Sequence, residues 1–420
     1  VNEETIMTIN AERLWQHLET LSTITDPARP WTRRAFTERY QEGRDWLKRA
    51  MQTAGLTTRL DDAGNLIGTL PGREPSLAPL VIGSHIDTVP SGGRYDGMLG
   101  VLAGLEAVQS LQEAGVNLRH DVEVIDFLSE EPSEYGISCV GSRGMVGALT
   151  REMLNFREPG GERLRDAIHR MGGNPDALNT PLRQHGDIAA FLELHIEQGR
   201  VLEEHNVPIG VVSDIGGIHR YDIVVSGQAD HAGTTPMELR RDALAEAAGL
   251  IKGIQQSARH QGTGDNYLVA TVGRLDVFPN ATNAIPERVE MVLEVRSNDT
   301  HLLQNFFPPI LEQAKCDASI LGLEIIATPL SEGLPTPCAD LIQSKISEAA
   351  QTTGLKAMSL TSGAGHDAVY MAKIAPTGML FVPCHEGRSH CPEENITQQQ
   401  ATNGCQVMQE TLKSLDNYLN

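Results

Sequence analysis

At 420 residues the chain exceeds the size at which one hydrophobic core usually stops growing, so two domains are expected. Its hydrophobic content of 40% is ordinary for a soluble globular protein, and its longest apolar runs, such as the one in Pro79–Gly83, are far too short to cross a bilayer. A formal net charge of -21 repels phosphate backbones and anionic membranes, which argues against nucleic-acid and lipid partners but leaves a small anionic substrate open.

No basic segment followed by an apolar one opens the sequence, so no signal peptide is read. Val1–Ile6, ahead of Met7, look like a non-native leader, because MTINAERL resembles a natural start. The six cysteines (Cys139, Cys316, Cys338, Cys384, Cys391 and Cys405) are scattered and include no C-x-x-C pair. A disulfide framework is not expected from this spacing, and a reducing, cytoplasmic setting fits it best.

Ala11–Leu21 and Arg33–Ala54 read as helices, the second ended by Gly55. Thr57–Leu70 reads as a strand pair around the turn-like DDAGN. Leu80–Ser84 is a continuous apolar run of the kind found in strands buried on both faces, and Val122–Leu128 is another. Between them, Val101, Leu105, Val108 and Leu111 recur at helical spacing. This alternation predicts a parallel α/β sheet whose ligands gather beyond the strand ends.

The pattern changes near residue 213. Tyr221–Val225 reads as a strand, Met237–Ala258 as a long helix, Tyr267–Leu275 and Arg288–Arg296 as strands, Leu302–Ala314 as a helix and Leu323–Pro329 as a strand. That is the split βαβ order of a small α+β sandwich. Helices follow at Ala339–Thr353 and Ile396–Leu419. The simplest division is an inserted domain, residues 213–329, between two halves of a catalytic domain, residues 1–212 and 330–420.

Four segments concentrate metal-type side chains. In HIDTVPSGGRYDG, His85 and Asp87 follow a buried strand directly, and the Gly92–Gly93 turn can fold Asp96 back towards His85. A carboxylate can bridge two cations through its two oxygens. A helix cap by Asp96 explains the same residue equally well at this point. In FLSEEPSEYG, adjacent Glu130 and Glu131 at a strand end point in opposing directions, so one can bind metal while the other faces a water as general base. A solvated acidic turn is the competing explanation. FLELHIEQG places His195 after an apolar stretch, and MLFVPCHEGRSHCPEE does the same for His390. A lone histidine is more often packed or surface-exposed than a ligand, but four strand-end clusters weigh against that.

The spacing HIDTVPSGGRYDG … SEE … ELHIEQG … GRSHCPEE resembles that of the dinuclear metallohydrolases that include aminoacylases, carboxypeptidase G-type enzymes and succinyl-diaminopimelate desuccinylase. ELHIEQG, DHAGTTPM, NAIPERVEMVLEVR and SGAGHDA together resemble its hydantoinase/carbamoylase branch, which contains N-carbamoyl-L-amino acid hydrolases, β-ureidopropionase and the allantoate and ureidoglycolate amidohydrolases. The resemblance runs from about Asn10 to the C-terminus. It implies an α/β, dinuclear-metal exopeptidase-like catalytic domain with an inserted α+β, ferredoxin-like sandwich that acts as lid and homodimer interface.

The resemblance further implies that His85 and His195 hold one divalent metal ion and Glu131 and His390 the other, with Asp96 bridging. Asp87 would hydrogen-bond His85, and Glu130 would be the general base. His231 would stabilise the oxyanion, Asn283 and Arg296 would receive the substrate carboxylate, and Gln198 and His366 would line the substrate site. Zinc suits such a mixed site, as do manganese and cobalt. The alternation of Val289, Met291, Leu293 and Val295 with Glu290, Val292, Glu294 and Arg296 independently puts Arg296 on the face opposite the core. Where the branch usually continues EEG-S/A-R-F, this chain has EEPSEYG, with Pro132 for a glycine and Glu134 for an arginine, a departure that bears on substrate preference.

The expected reaction is hydrolysis of the carbamoyl C–N bond of an N-carbamoyl-L-amino acid, releasing ammonia and carbon dioxide. The alternatives are allantoate or ureidoglycolate as substrate, peptide or N-acyl amino acid hydrolysis, and a non-catalytic scaffold that has kept the fold.

Overall fold

The computed structural model describes residues 9–262 and 267–419, so the suspected leader Val1–Ile6 lies outside the described residues. Its contacts divide the chain into two compact units. The first comprises Val1–Ser213, Cys338–Leu360 and Gly365–Asn420, and the second Asp214–Pro337 with Thr361–Ala364. The second unit runs past residue 329, where the sequence reading ended it, because its last long strand continues to Gly333.

In chain order the strands are β1 (Thr57–Leu60), β2 (Leu66–Leu70), β3 (Leu80–Ser84), β4 (Val122–Asp126), β5 (Ala190–Ile196), β6 (Ile209–Ile215), β7 (Gly217–Ser226), β8 (Leu268–Phe278), β9 (Arg288–Ser297), β10 (Glu324–Gly333), β11 (Thr336–Pro337), β12 (Ala357–Ser362) and β13 (Thr377–Val382). In the first unit they run in the order β1-β2-β4-β3-β5-β13-β6. The four central strands, β4, β3, β5 and β13, are parallel. Every residue of these four is buried, which accounts for their largely apolar character.

The sheet as a whole is mixed, not parallel as the sequence suggested: β2 is antiparallel to β4, and β6 is antiparallel to β13. The DDAGN turn reverses the chain between β1 and β2, and a short turn can join only antiparallel neighbours. What matters for the site is that four adjacent parallel strands deliver their carboxyl ends side by side, as crevices in open α/β sheets require.

The second unit is a four-stranded antiparallel sheet in the order β10-β7-β9-β8. Helices Ala243–Gln261 and Phe307–Ile320 supply its core with Leu250, Ile254 and Phe307, which pack with Ile223, Val225, Met291 and Leu293. The element order is the split βαβ sequence.

Three helices start or break where periodicity alone did not show. The second begins at Glu38, not Arg33, because the Arg33 side chain turns inward to donate to the carbonyls of Ile86, Leu21 and Ile24, and Phe36 takes a positive φ of 66°. The long helix of the second unit begins at Ala243, where Asp242 accepts from the Leu244 and Ala245 N–H groups. The helix expected at 302–314 is two, Thr300–Asn305 and Phe307–Ile320, with proline in the first turn of the latter.

One buried ion pair ties the helix Glu38–Thr53 to the sheet. Arg44 Nε lies 2.9 Å from Asp126 Oδ2 at the end of β4, and Asp126 Oδ1 accepts from the Ile86 N–H at 3.0 Å. Both side chains are buried. Arg44→Met should therefore strand a carboxylate in the interior and cost about 3–5 kcal/mol of stability, read as a lowered midpoint in urea denaturation.

Candidate metal centre

Each ligand-type residue sits in the last residues of a central strand or the loop after it. His85 follows β3, His195 is the penultimate residue of β5, Glu130 and Glu131 follow β4, and His390 lies in the loop after β13. β4 stops at Asp126, so Glu130 and Glu131 project from a loop and not from a strand end. That loop is zipped to the next segment: Cys139, Val140 and Gly141 donate N–H groups to the carbonyls of Glu130, Ser129 and Leu128.

Asp96 is at the centre. The helix Met98–Glu113 begins after Gly97 without any side-chain cap, so the capping explanation of Asp96 fails. Its Oδ1 lies 3.0 Å from His195 Nε2 and 3.9 Å from His85 Nε2. Its Oδ2 lies 3.0 Å from His390 Nε2, which in turn is 3.1 Å from Glu131 Oε1. Two groups of close ligand atoms share Asp96, His85–Asp96–His195 and Asp96–Glu131–His390, and a third, Glu193–His195–His366, shares His195. Gly97 makes this approach possible: it has φ 68°, and a Cβ there would come within 2.3 Å of the His85 ring.

The imidazole orientations identify what these groups are built to hold. His85 Nδ1 is 2.9 Å from the Asp87 carbonyl, and His195 Nδ1 is 2.9 Å from the Ile196 carbonyl. A carbonyl only accepts, so each Nδ1 carries hydrogen and each Nε2, turned towards the carboxylates, is the nitrogen that takes up either a proton or a cation. The Gly97 N–H donates to His195 Nε2 at 3.2 Å, consistent with a lone pair on that atom. Lone pairs facing carboxylate oxygens repel unless a proton or a cation lies between them. The mixed nitrogen and oxygen donor set therefore fits divalent cations such as zinc, manganese or cobalt.

The ionisation pattern points the same way. Hydrogen bonds to Asp96 and Glu131 push the His390 imidazole up to about 11. Burial works against charging His195, but its contact with Asp96 outweighs this and raises it to about 9. Burial also opposes the Asp96 charge, yet His195 and His390 hold that carboxyl well below its usual range. Glu130 moves the other way: burial, and then the charge of Glu131, raise it well above an ordinary glutamate. Its Oε2 is 3.7 Å from His85 Nε2, and the Cys139 thiol donates to Oε1 at 3.4 Å.

Asp87 touches both the His85 ring and the glutamate loop. The His85 hydrogen bond goes to its backbone carbonyl, while its carboxylate oxygens accept the N–H groups of Glu130 and Glu131, each at 3.1 Å. Asp87 thus fixes the backbone that carries the two glutamates. Gln198 donates through Nε2 to Asp96 Oδ2 and to Ser389 Oγ, both at 3.3 Å, so it stands at the centre itself. His366 is buried with its ring 4.6 Å from that of His195. Beneath them Glu193, also buried, accepts from Ser84 Oγ at 2.9 Å and the Ala368 N–H at 3.2 Å. Glu193 and Cys139 carried no signal in the sequence, because each matters only through a contact with another segment.

In the second unit, His231 and Asn283 lie on neighbouring segments: His231 bridges Ala284, and the Ala232 N–H donates to the Asn283 carbonyl at 3.0 Å. His231 Nδ1 accepts from the Gly233 N–H at 3.0 Å, which leaves Nε2–H of the neutral ring as a donor. Arg296 is half-buried on the β9 face opposite the core, where it donates to Glu294 and the Gly363 carbonyl. Glu134 is exposed and pairs with Arg34 at 2.9 Å, and Arg34 also donates to the Pro132 carbonyl.

Residues 81–414 match the family model described as peptidase family M20/M25/M40. The chain is 40% identical over 408 residues to an N-carbamoyl-L-amino acid amidohydrolase of Geobacillus stearothermophilus, spanning 97% of this chain and 99% of that protein. It is 34% identical to a ureidoglycolate hydrolase of Arabidopsis thaliana, spanning 99% of this chain and 88% of that one. The crystal structure of a hydantoinase/carbamoylase-family amidase from Burkholderia multivorans matches with a TM-score of 0.90 at 34% identity, over 97% of this chain and 98% of its own. The chain is therefore a hydrolase that belongs to peptidase family M20/M25/M40 and, within it, to the hydantoinase/carbamoylase amidases.

Proposed function

We propose that this protein hydrolyses the carbamoyl C–N bond of N-carbamoyl-L-amino acids, releasing ammonia and carbon dioxide. The observation that carries the reading is Asp96, one buried carboxylate with a histidine on each of its two oxygens. We assign His85 and His195 to one divalent ion, Glu131 and His390 to the other, and Asp96 to both. When bound, the two ions supply Lewis acidity towards water and the carbamoyl oxygen.

The remaining work falls to the chain's own residues. Glu130 takes the proton of the attacking water and delivers it to the departing nitrogen, a role suited to a carboxyl whose proton affinity is raised by burial. His231 donates Nε2–H to the developing oxyanion. Arg296 and Asn283 receive the substrate carboxylate, for which a planar guanidinium is better shaped than an ammonium. Gln198 and His366 border the reacting group. Arg296→Lys should raise KM for an N-carbamoyl amino acid at least about tenfold and leave bound metal unchanged, read by steady-state kinetics beside metal analysis.

We further infer a cytoplasmic homodimer that uses the second unit both as lid and as interface. Among the described residues none of the cysteines forms a disulfide, and the second unit exposes Met237, Leu239, Ile320 and Leu330. Among the described residues no helix is long and apolar enough to cross a membrane.

Ureidoglycolate or allantoate is the second reading, favoured by the ureidoglycolate hydrolase relative and by Glu134, whose charge differs from the arginine expected there. Incubating metal-loaded enzyme with each substrate and measuring ammonia separates the two. Faster release from N-carbamoyl-L-amino acids supports the first reading; release from allantoate or ureidoglycolate alone supports the second.

A further inference from the structure

Asp96 and His390 approach within 3.0 Å although they stand at opposite ends of the chain, each on a loop. Side chains so placed need their loops joined by something more exact than apolar packing. Glu394 is the residue that joins them.

Its side chain is 1% exposed. Oε1 accepts the N–H groups of Tyr95 at 2.7 Å and Asp96 at 3.1 Å. Oε2 accepts the Ser389 hydroxyl at 2.7 Å, one residue before His390. The glycine-rich turn is shaped around this carboxylate: Gly93 has φ 118°, and a Cβ there would come within 2.3 Å of Glu394. The His390 loop is shaped too, since the Glu394 N–H closes on the Cys391 carbonyl and His390 itself takes φ 57°. Charge-assisted hydrogen bonds to a fixed carboxylate are short and directional, which suits them to holding two backbones in register.

We propose that Glu394 is a positioning residue for the metal centre. It holds the backbone of Asp96 with one oxygen and the His390 loop with the other, so that both ligands meet the same cation. The inference rests on the metal reading above. Asp87 performs the corresponding task for Glu130 and Glu131, so each pair of loops has its own carboxylate clamp.

The test is titration of zinc or manganese into metal-free wild type, Glu394→Ala, Glu394→Gln and Ser389→Ala, with thermal unfolding of each metal-free protein recorded beside it. Glu394→Ala should weaken metal binding about 10–100-fold, the usual consequence of losing a group that orients ligands. Ser389→Ala, which removes one of the three hydrogen bonds, should weaken it less. Glu394→Gln keeps an oxygen for the two N–H groups and an amide that the Ser389 hydroxyl can face, so it should recover most of the affinity. A folded Glu394→Ala protein with wild-type metal affinity overturns the proposal. If that variant does not fold, wild-type affinity in Ser389→Ala overturns it instead. Failure of wild type to bind either metal overturns the underlying metal reading, which keeps the two failures apart.

Discussion

Glu130→Gln should lower kcat by about 10²–10⁴-fold while the metal content of the purified protein stays that of wild type. The substitution keeps the shape of the side chain and removes only its capacity to take a proton. In the structure Glu130 is held by two backbone contacts that a glutamine does not disturb, its N–H on the Asp87 carboxylate and its carbonyl on the Cys139 N–H, and the bond from Val140 to Ser129 fixes the residue before it. The residue is close to His85 but is absent from both groups of close ligand atoms, so metal should remain. Turnover assays with metal analysis by mass spectrometry on the same sample decide the matter. Undiminished turnover would remove Glu130 from the mechanism, and loss of metal would make it a ligand.

Asp96→Ala should abolish turnover by emptying both sites together. In the two groups that contain it Asp96 is the shared member, whereas His85, His195, Glu131 and His390 each belong to one of those two. Its removal also leaves His195 and His390 without the partner that dominates their ionisation. The expected outcome is a folded protein with metal content near zero at substoichiometric supply and no detectable ammonia release. His390→Ala, by contrast, should lose one ion and keep the other. Retention of both ions in Asp96→Ala would contradict the bridging assignment.

Much of this candidate centre was legible because its residues lie near the ends of buried strands: His85 directly after one, His195 at the end of another, and Glu130, Glu131 and His390 in the loops that follow. His85, His195 and His390 could be marked from the apolar runs, and the glycines before Asp96 showed that the chain could fold back. The sequence could not show where contacts between segments would fall. Asp87 was expected to hydrogen-bond His85, and its carbonyl lies 2.9 Å from Nδ1, but nothing in the sequence showed that its carboxylate would bind the Glu130 and Glu131 N–H groups. Arg33 reads as a helical residue until its guanidinium is seen turned inward on three carbonyls. Strand direction was hidden for a similar reason: apolar runs record burial on both faces, not the sense of the neighbouring strand, so nothing showed that β2 and β6 run antiparallel to β4 and β13. In the second unit, strict alternation along β9 separated the core face from that of Arg296, whereas the break before Phe307 depended on prolines within an otherwise helical pattern.

Glu134 is the residue through which substrate preference remains tied to this chain in particular. It turns outward and pairs with Arg34, so the loop after the two glutamates presents an ion pair where relatives of the branch are expected to present an arginine.

The most direct measurement is ammonia release by the metal-reconstituted enzyme from a series of N-carbamoyl-L-amino acids, run beside the matching N-acetyl amino acids and dipeptides. The account predicts one equivalent of ammonia and one of free amino acid from the carbamoyl substrates, dependent on added divalent metal and absent from Glu130→Gln. Cleavage of the acetyl or peptide substrates with no ammonia from any carbamoyl substrate would contradict it.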